Sequence, residues 1–518
     1  MPFKSEHLKP NTASFIYASP FLFFSFLNWK FDEIATNNAL PFIQDTFSIS
    51  KPLAQWLQSA YFIATAAFAI PFNKLGDIFG LILICQICAF AMALFQFPSA
   101  FLNNFWALLV FKFVCGAIAA GAVANRNALL SKFNYEKSRE FIANALIVNG
   151  VAGIIIPLIA GAIIDKKWQM IFVFSGFCSL ISFILSLQFT NVERQTNKPI
   201  FDIFGSVLII FGVGGLCVSL TFLSQKQWIL AGVSLFVFVA ATTLFFFLES
   251  SHPEPVLPLF LMKNPVAELS ILHVLGFICF SANQYLLPQV FSHLNAKSIL
   301  TGGVQTASQI TNVLTALAQK FIGQKIVNRY ALNFSLFGLL VSLVLQSVFV
   351  TNVYAYAVFY TFAQTFNTHL TQVYYPMLLL AAPKKYTQLL AGIPTSARTI
   401  GNSLSYCFFS YFQELTLGLL PGDSEKKFYG SIVMCQVVIM VIVIIMLIIV
   451  IFRVGNTQSE FQKLGYKEKQ VRELNVDEDK VQRIRDTYFQ KKVLKQSKKL
   501  LKTFTSDHES SANVQLEI

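Results

Sequence analysis

Apolar residues along the chain gather into stretches of about 20, the length at which a helix crosses a hydrocarbon core of about 30 Å. About fourteen such stretches begin near Ser14, Leu53, Leu81, Asn103, Phe141, Met170, Phe201, Trp228, Leu269, Gly302, Leu332, Val353, Leu389 and Ser431. Short polar breaks separate them. The pattern predicts an all-α polytopic membrane protein.

Composition agrees with that solvent. Of 518 residues, 55% are hydrophobic, 13% are charged and 55 are Phe. No soluble arrangement could cover that much apolar surface with polar groups. Orientation follows from the basic residues between spans. With a cytoplasmic N-terminus, loops on that side hold Lys74, Arg126, Lys132, Lys137, Arg139, Arg194, Lys198, Lys263, Lys320, Lys325, Arg329, Lys384 and Lys385, and the opposite loops are poorer. Both termini are therefore expected in the cytoplasm, which requires an even number of spans. The first span is too long, and lacks a small-residue cleavage site, for a removed signal peptide, so it is expected to stay.

The connectors divide the chain. Residues 1–13 form a tail, 14–190 a six-span half, 200–249 a two-span hairpin joined by little more than "SQKQW", 265–452 a second six-span half, and 453–518 a hydrophilic tail. Polar stretches at Asn191 to Pro199 and Ser250 to Pro258 flank the hairpin, which reads as an insertion between the halves. The last tail crowds Lys491, Lys492, Lys495, Lys498, Lys499 and Lys502. It is either a solvated helix or one held on anionic inner-leaflet lipid.

Several chemistries are excluded. All eight cysteines fall inside apolar spans, so neither a disulfide framework nor a metal site is expected. Cys85 and Cys88 read as small packing residues. "GVGGL" at Gly212 to Leu216 lacks the preceding strand and solvated helix start of a phosphate loop, and reads as close helix packing. With no nucleophile elbow, metalloprotease helix or kinase signature, the chain is not expected to be an enzyme, to hold a cofactor or to bind nucleic acid, and a monomer is expected.

What remains is charge where lipid belongs. At the end of the first span stands "KFDEIATNNALP", Lys30 to Pro41. Ser25, Asn28, Asp32 and Thr36 are spaced three, four and four apart and form one polar stripe that must face protein or water. Lys30 and Glu33 are three apart and can neutralise each other. Asp32 then needs a partner from another helix, and an intramembrane acid is a functional hypothesis by default. The other strong charges placed in the hydrocarbon are Lys112 and Arg398, the latter sharing a face with Asn402 and Ser405. Gln305, Gln309 and Asn312 form a further polar stripe, as do Gln364, Asn367 and Thr371. Several stripes in one chain favour a shared polar cavity. His273 and His369 stand alone.

These residues resemble a known family. "FDEIATNNALP" is similar to the first-helix signature of the fourteen-span drug:proton antiporters of the major facilitator superfamily, with Asp32, Asn37, Ala39, Leu40 and Pro41 in register. "WLQSAYFIATAAFAIPFNKLGDIFG" resembles the second helix and the conformational loop after it, through Asp77 and Gly80. "KFVCG" corresponds to the fourth-helix arginine motif, with Lys112 at the arginine and Gly116 at its glycine. "PLIAGAIIDKKWQMIF" resembles the fifth-helix antiporter motif, giving Pro157 and Gly161 as packing residues. "FDIFGSVLIIFG" and "YTQLLAGIPTSARTIGNSLS" are similar to stretches of fungal aminotriazole-resistance and boron-efflux transporters. The resemblance covers nearly all of residues 14 to 452, and implies two six-helix halves with an inserted hairpin.

The same register shows departures. Leu81, Ile82 and Leu83 stand where the family's loop is basic, and Lys112 is a point charge without an arginine's planar fork. Three readings stay open. One is proton-coupled export of a small molecule, such as a drug, weak acid or boric acid, with Asp32, Glu33 and Lys112 carrying the coupling and Asn28, Thr36, Asn37, Gln305, Gln309, Asn312, Gln364, Asn367, Arg398 and Asn402 lining the cavity. The second is a transporter of the same fold with altered coupling or direction, importing a small solute or loading a vacuole with basic amino acids. The third is a transport-inactive sensor. The implied partners are a small-molecule substrate, protons and membrane lipid, at the plasma membrane rather than the vacuole.

Overall fold

A computed structural model describes residues 12–49, 51–132, 138–189, 202–249, 266–296, 298–321, 328–380 and 387–454. The two polar connectors, the C-terminal lysine tail and the side chain of Asp77 lie outside the described residues.

The chain is helical because apolar runs in lipid must satisfy every backbone N–H and C=O internally. Its α-helices are α1 (Thr12–Lys30), α2 (Thr36–Phe47), α3 (Lys51–Phe79), α4 (Leu81–Ser99), α5 (Phe105–Lys132), α6 (Ser138–Lys167), α7 (Met170–Ser186), α8 (Ile203–Ser224), α9 (Trp228–Glu249), α10 (Val266–His293), α11 (Ser298–Phe321), α12 (Asn328–Val348), α13 (Val353–Leu380), α14 (Thr387–Leu419) and α15 (Ser424–Ile449). A π turn over Phe31–Ala35 joins α1 to α2 without a break, so the described residues form fourteen rods. Nine helices among the described residues are long and apolar enough to cross a membrane by composition alone. Of the remaining rods, α7 is as apolar but one residue short of that length, and the others carry more polar residues, many of them buried between helices. The chain is an integral, multi-pass membrane protein.

Close helix approach is set by small residues. A Cβ on Gly116 of α5 would stand 2.3 Å from the Tyr61 carbonyl oxygen of α3, and one on Gly302 of α11 would stand 2.5 Å from the Pro157 oxygen of α6. Gly161 adjoins the same contact. These positions let backbones touch where lipid offers no hydrophobic drive between helices. Between α3 and α4 the chain turns on Gly80 alone, at φ 104°, a conformation L side chains rarely adopt. Leu81 is buried and starts α4, which explains why no basic loop stands there.

The α8–α9 hairpin closes through Gly215, where a Cβ would lie 3.0 Å from the Phe238 nitrogen. Asp202 caps α8 by accepting from the Gly205 N–H at 2.8 Å. The hairpin docks through α8 on α3 and α14: Ser403 Oγ donates to Cys217 Sγ at 3.0 Å, and Trp56 meets Phe222 with ring centroids 5.5 Å apart. Phe236, Phe246 and Phe247 of α9 stay exposed. All eight cysteines are buried and free, and Cys88 packs against Gly121 of α5.

Candidate functional site

The site begins with one irregular turn. At Phe31–Ala35 the Thr36 N–H donates to the Phe31 carbonyl, an i→i+5 bond that inserts a residue into the α ladder. Carbonyls left short of their usual donors must find others in a buried setting. Gln58 of α3 supplies them, its Nε2 donating to the Asp32 and Glu33 carbonyl oxygens at 3.2 Å each. Two consecutive carboxylates, Asp32 and Glu33, are thereby both buried yet face different sides of the rod.

Asp32 turns into the bundle of α4, α5 and α7. Lys112 Nζ of α5 donates to Asp32 Oδ1 and to Thr36 Oγ1, the second at 3.0 Å. Gln96 Nε2 of α4 donates to Asp32 Oδ2 at 2.7 Å. The ammonium sits 4.9 Å from the Phe172 ring centroid and 5.3 Å from that of Tyr61. Both members of the pair are buried from solvent. A charge so placed is tolerable only while its partner stays.

The polar stripe of the first rod belongs to this bundle throughout. Ser25 accepts from Arg126 Nη1 at 3.0 Å, and Asn28 Oδ1 accepts from Ser175 Oγ of α7 at 2.8 Å. Asn28 and Thr36 face α7 and α5. The reason is that their partners stand on those helices. Arg126, counted above with the cytoplasmic loops, is a buried α5 residue with its guanidinium 3.9 Å from the Phe26 ring centroid.

Glu33 points the other way, across the molecule. Its carboxylate lies 3.2 Å from Lys30 Nζ and accepts from Arg398 Nη2 of α14 at 3.2 Å on both oxygens. The pairing with Lys30 that the spacing offers is present, and Glu33 in addition joins the first rod to the thirteenth. The Arg398 guanidinium lies between the Trp29 ring, 3.9 Å away, and the Phe277 ring, 4.9 Å away. Two turns further along α14, Phe62 of α3 stacks on Tyr406 at 4.8 Å.

Further polar contacts hold the first and last helices together. Asn38 and Gln305 exchange amide hydrogen bonds of 2.9 and 3.3 Å. Gln55 Nε2 donates to the Tyr285 hydroxyl at 3.0 Å, that hydroxyl donates to Gln413 Oε1 at 2.9 Å, and Ser410 Oγ donates to Gln55 Oε1. Above this layer a cavity of about 480 Å³ opens, lined among others by Asn37, Gln44, Gln55, Tyr285 and Gln289.

The remaining expected residues are placed as follows. Gln309 packs on Gly153 of α6. Asn312 accepts through its main-chain oxygen from Gln372 at 3.3 Å. Gln364 Nε2 donates to the Phe280 carbonyl at 3.3 Å, and the Asn367 Oδ1 is buried without a partner. Asn402 Oδ1 accepts from Ser281 Oγ at 2.6 Å. His369 Nδ1 is 2.6 Å from Ser335 Oγ. Missed by the sequence reading were Gln58, Gln96, Tyr61 and Trp29. A glutamine inside an apolar helix is the signal that would have found the first two.

The geometry can therefore hold two compensated intramembrane carboxylates, one within a bundle and one across the central seam. The uncharacterized transporter YebQ of Escherichia coli K12 is 27% identical over 46% of this chain and 53% of its own length. The multidrug transporter protein MdtP of Bacillus subtilis is 24% identical over 57% and 55%. The chain thus spans about half the length of the curated relatives it matches. Among solved structures, a bacterial homologue of the human lysosomal transporter Spinster, inward-facing and unoccupied, superposes with a TM-score of 0.58 over 86% of this chain and 98% of that one, at 13% identity, which speaks for the fold alone. The Major Facilitator Superfamily profile matches residues 19–410, and with this bundle the chain belongs to that superfamily.

Proposed function

We propose that the protein is a secondary active transporter that exports a small molecule in exchange for protons, by alternating access between two six-helix halves. The observation that carries this reading is the buried pair of Lys112 with Asp32, which stands on the π turn from which Glu33 reaches Arg398 of the other half. A carboxylate out of water keeps its charge only while a cation compensates it. When Lys112 withdraws, a proton takes its place. When Lys112 returns, the proton leaves. Movement of α14 against the first rod pulls on Glu33, one residue away, so the seam and the proton site share one irregular turn. Export is supported by the name of MdtP, a multidrug transporter.

In this reading all fourteen rods cross the membrane, both termini are cytoplasmic, the membrane is the plasma membrane, and the cavity beside Asn37 opens outward. The α8–α9 hairpin is the insertion between the halves. The test is transport in proteoliposomes under an imposed pH difference. Asp32→Asn is expected to abolish accumulation against the gradient while sparing exchange at equal concentrations, because exchange moves no net proton. Accumulation at the wild-type level by Asp32→Asn protein overturns the assignment. Wild-type flux that ignores the pH difference overturns proton coupling itself.

A further inference from the structure

The surroundings of Glu33 carry more positive than negative charge. Lys30 Nζ and Arg398 Nη2 both lie 3.2 Å from this one carboxylate, so two cations share one anion. Among the described residues no second carboxylate comes within ion-pair distance of either, and Asp32 is engaged by Lys112. An uncompensated charge away from water is costly, and an anion arriving there removes the cost.

From Arg398 onward, α14 carries donors without acceptors. Arg398 Nε, Asn402 Nδ2 and the Tyr406 hydroxyl are buried and make no hydrogen bond. They stand at i, i+4 and i+8 on one face of α14. The guanidinium is held between the Trp29 and Phe277 rings, so its plane is set before any ligand arrives. Fixed donors matched to a carboxylate's lone pairs bind it with little loss of freedom.

We propose that the substrate is an organic monoanion, its carboxylate displacing Glu33 from Arg398 and taking in addition the free donors of Arg398 and Asn402, with its apolar body laid against the Phe62–Tyr406 stack. This rests on the reading of the central seam as the substrate path. Glu33 is then an internal stand-in for the substrate's carboxylate, occupying Arg398 while the site is empty.

The test is calorimetric titration of the purified full chain in detergent at neutral pH with three acids (acetate, benzoate and 2-naphthoate) and with benzamide and benzylammonium as neutral and cationic counterparts of benzoate. Benzoate or naphthoate is expected to bind saturably and about tenfold or more tightly than benzamide, and benzylammonium not to compete. Arg398→Gln is expected to weaken binding by about tenfold or more, and Glu33→Gln to tighten it by about tenfold, because it removes the internal competitor and leaves both cations. A merely structural Glu33 would give weaker binding on that substitution. Should Arg398→Gln not fold, the order of the benzoate isosteres on wild-type protein and the sign of the Glu33→Gln effect decide. Failure of all three acids to bind, preference for benzylammonium, or weaker binding by Glu33→Gln each overturns the proposal. Gradient-driven flux of ethidium without acid binding would sink this inference and leave proton coupling standing; acid binding without gradient-driven flux would do the reverse.

Discussion

Asp32 and Lys112 hold each other's charge out of reach of water, so neither can be removed alone without stranding the other. Asp32 and Lys112 were legible as partners because strong charges inside apolar spans are few, and each must find another. Glu33 was not. Its spacing to Lys30 offered a local partner, and nothing local points to Arg398, 365 positions away. The pairing has a measurable cost structure. Lys112→Met alone, leaving Asp32 buried and uncompensated, is expected to destabilise the protein by about 3–5 kcal/mol, and Asp32→Asn with Lys112→Met together by much less than the two single changes summed. Chemical unfolding of the detergent-solubilised variants measures it; simple additivity would show that the pair is not an energetic unit.

Most helices were read within a few residues, since apolar length in lipid favours one backbone solution, but the last begins at Ser424, well before Ser431, because its first turn is polar. The π turn was invisible, because an inserted residue changes no composition; only Gln58, a buried amide in an apolar helix, hints that backbone groups across from it need donors. Gln58→Leu is expected to destabilise by about 1–3 kcal/mol through those carbonyls, with Gln58→Glu no rescue since it offers no amide donor. Close approach is testable in the same way. Gly116→Leu would drive a side chain into the Tyr61 carbonyl and is expected to abolish stable folding, whereas Gly214→Leu, with open space around its would-be Cβ, is expected to be tolerated. Melting temperatures compare the two, and equal losses would remove the packing argument. The stripes were harder to assign. Periodicity said that Ser25, Asn28, Asp32 and Thr36 share a face, but which neighbours meet that face depends on how rods pack, and the partners stand on α4, α5 and α7.

At the scale of the whole molecule, the two seams between first and last helices are not equivalent. One is the contact of α3 with α14, and α8 lies over it. The other is the contact of α6 with α11, where Leu158, Ile299, Ile310 and Leu314 are exposed. If the cavity beside Asn37 opens in one working state, Asn37→Cys in a cysteine-free background is expected to react with a membrane-impermeant thiol reagent and Asn28→Cys to stay protected; equal reactivity would contradict the placement of the two side chains. If the proposed transport cycle holds, the hairpin's position would set the side from which an oily solute dissolved in the bilayer can slip into the protein. It would act as a shutter over one flank and leave the flank of α6 and α11 for lateral entry, so a bulky aromatic at the exposed Leu158 is expected to slow uptake of lipid-dissolved solutes while leaving that of water-dissolved ones unchanged.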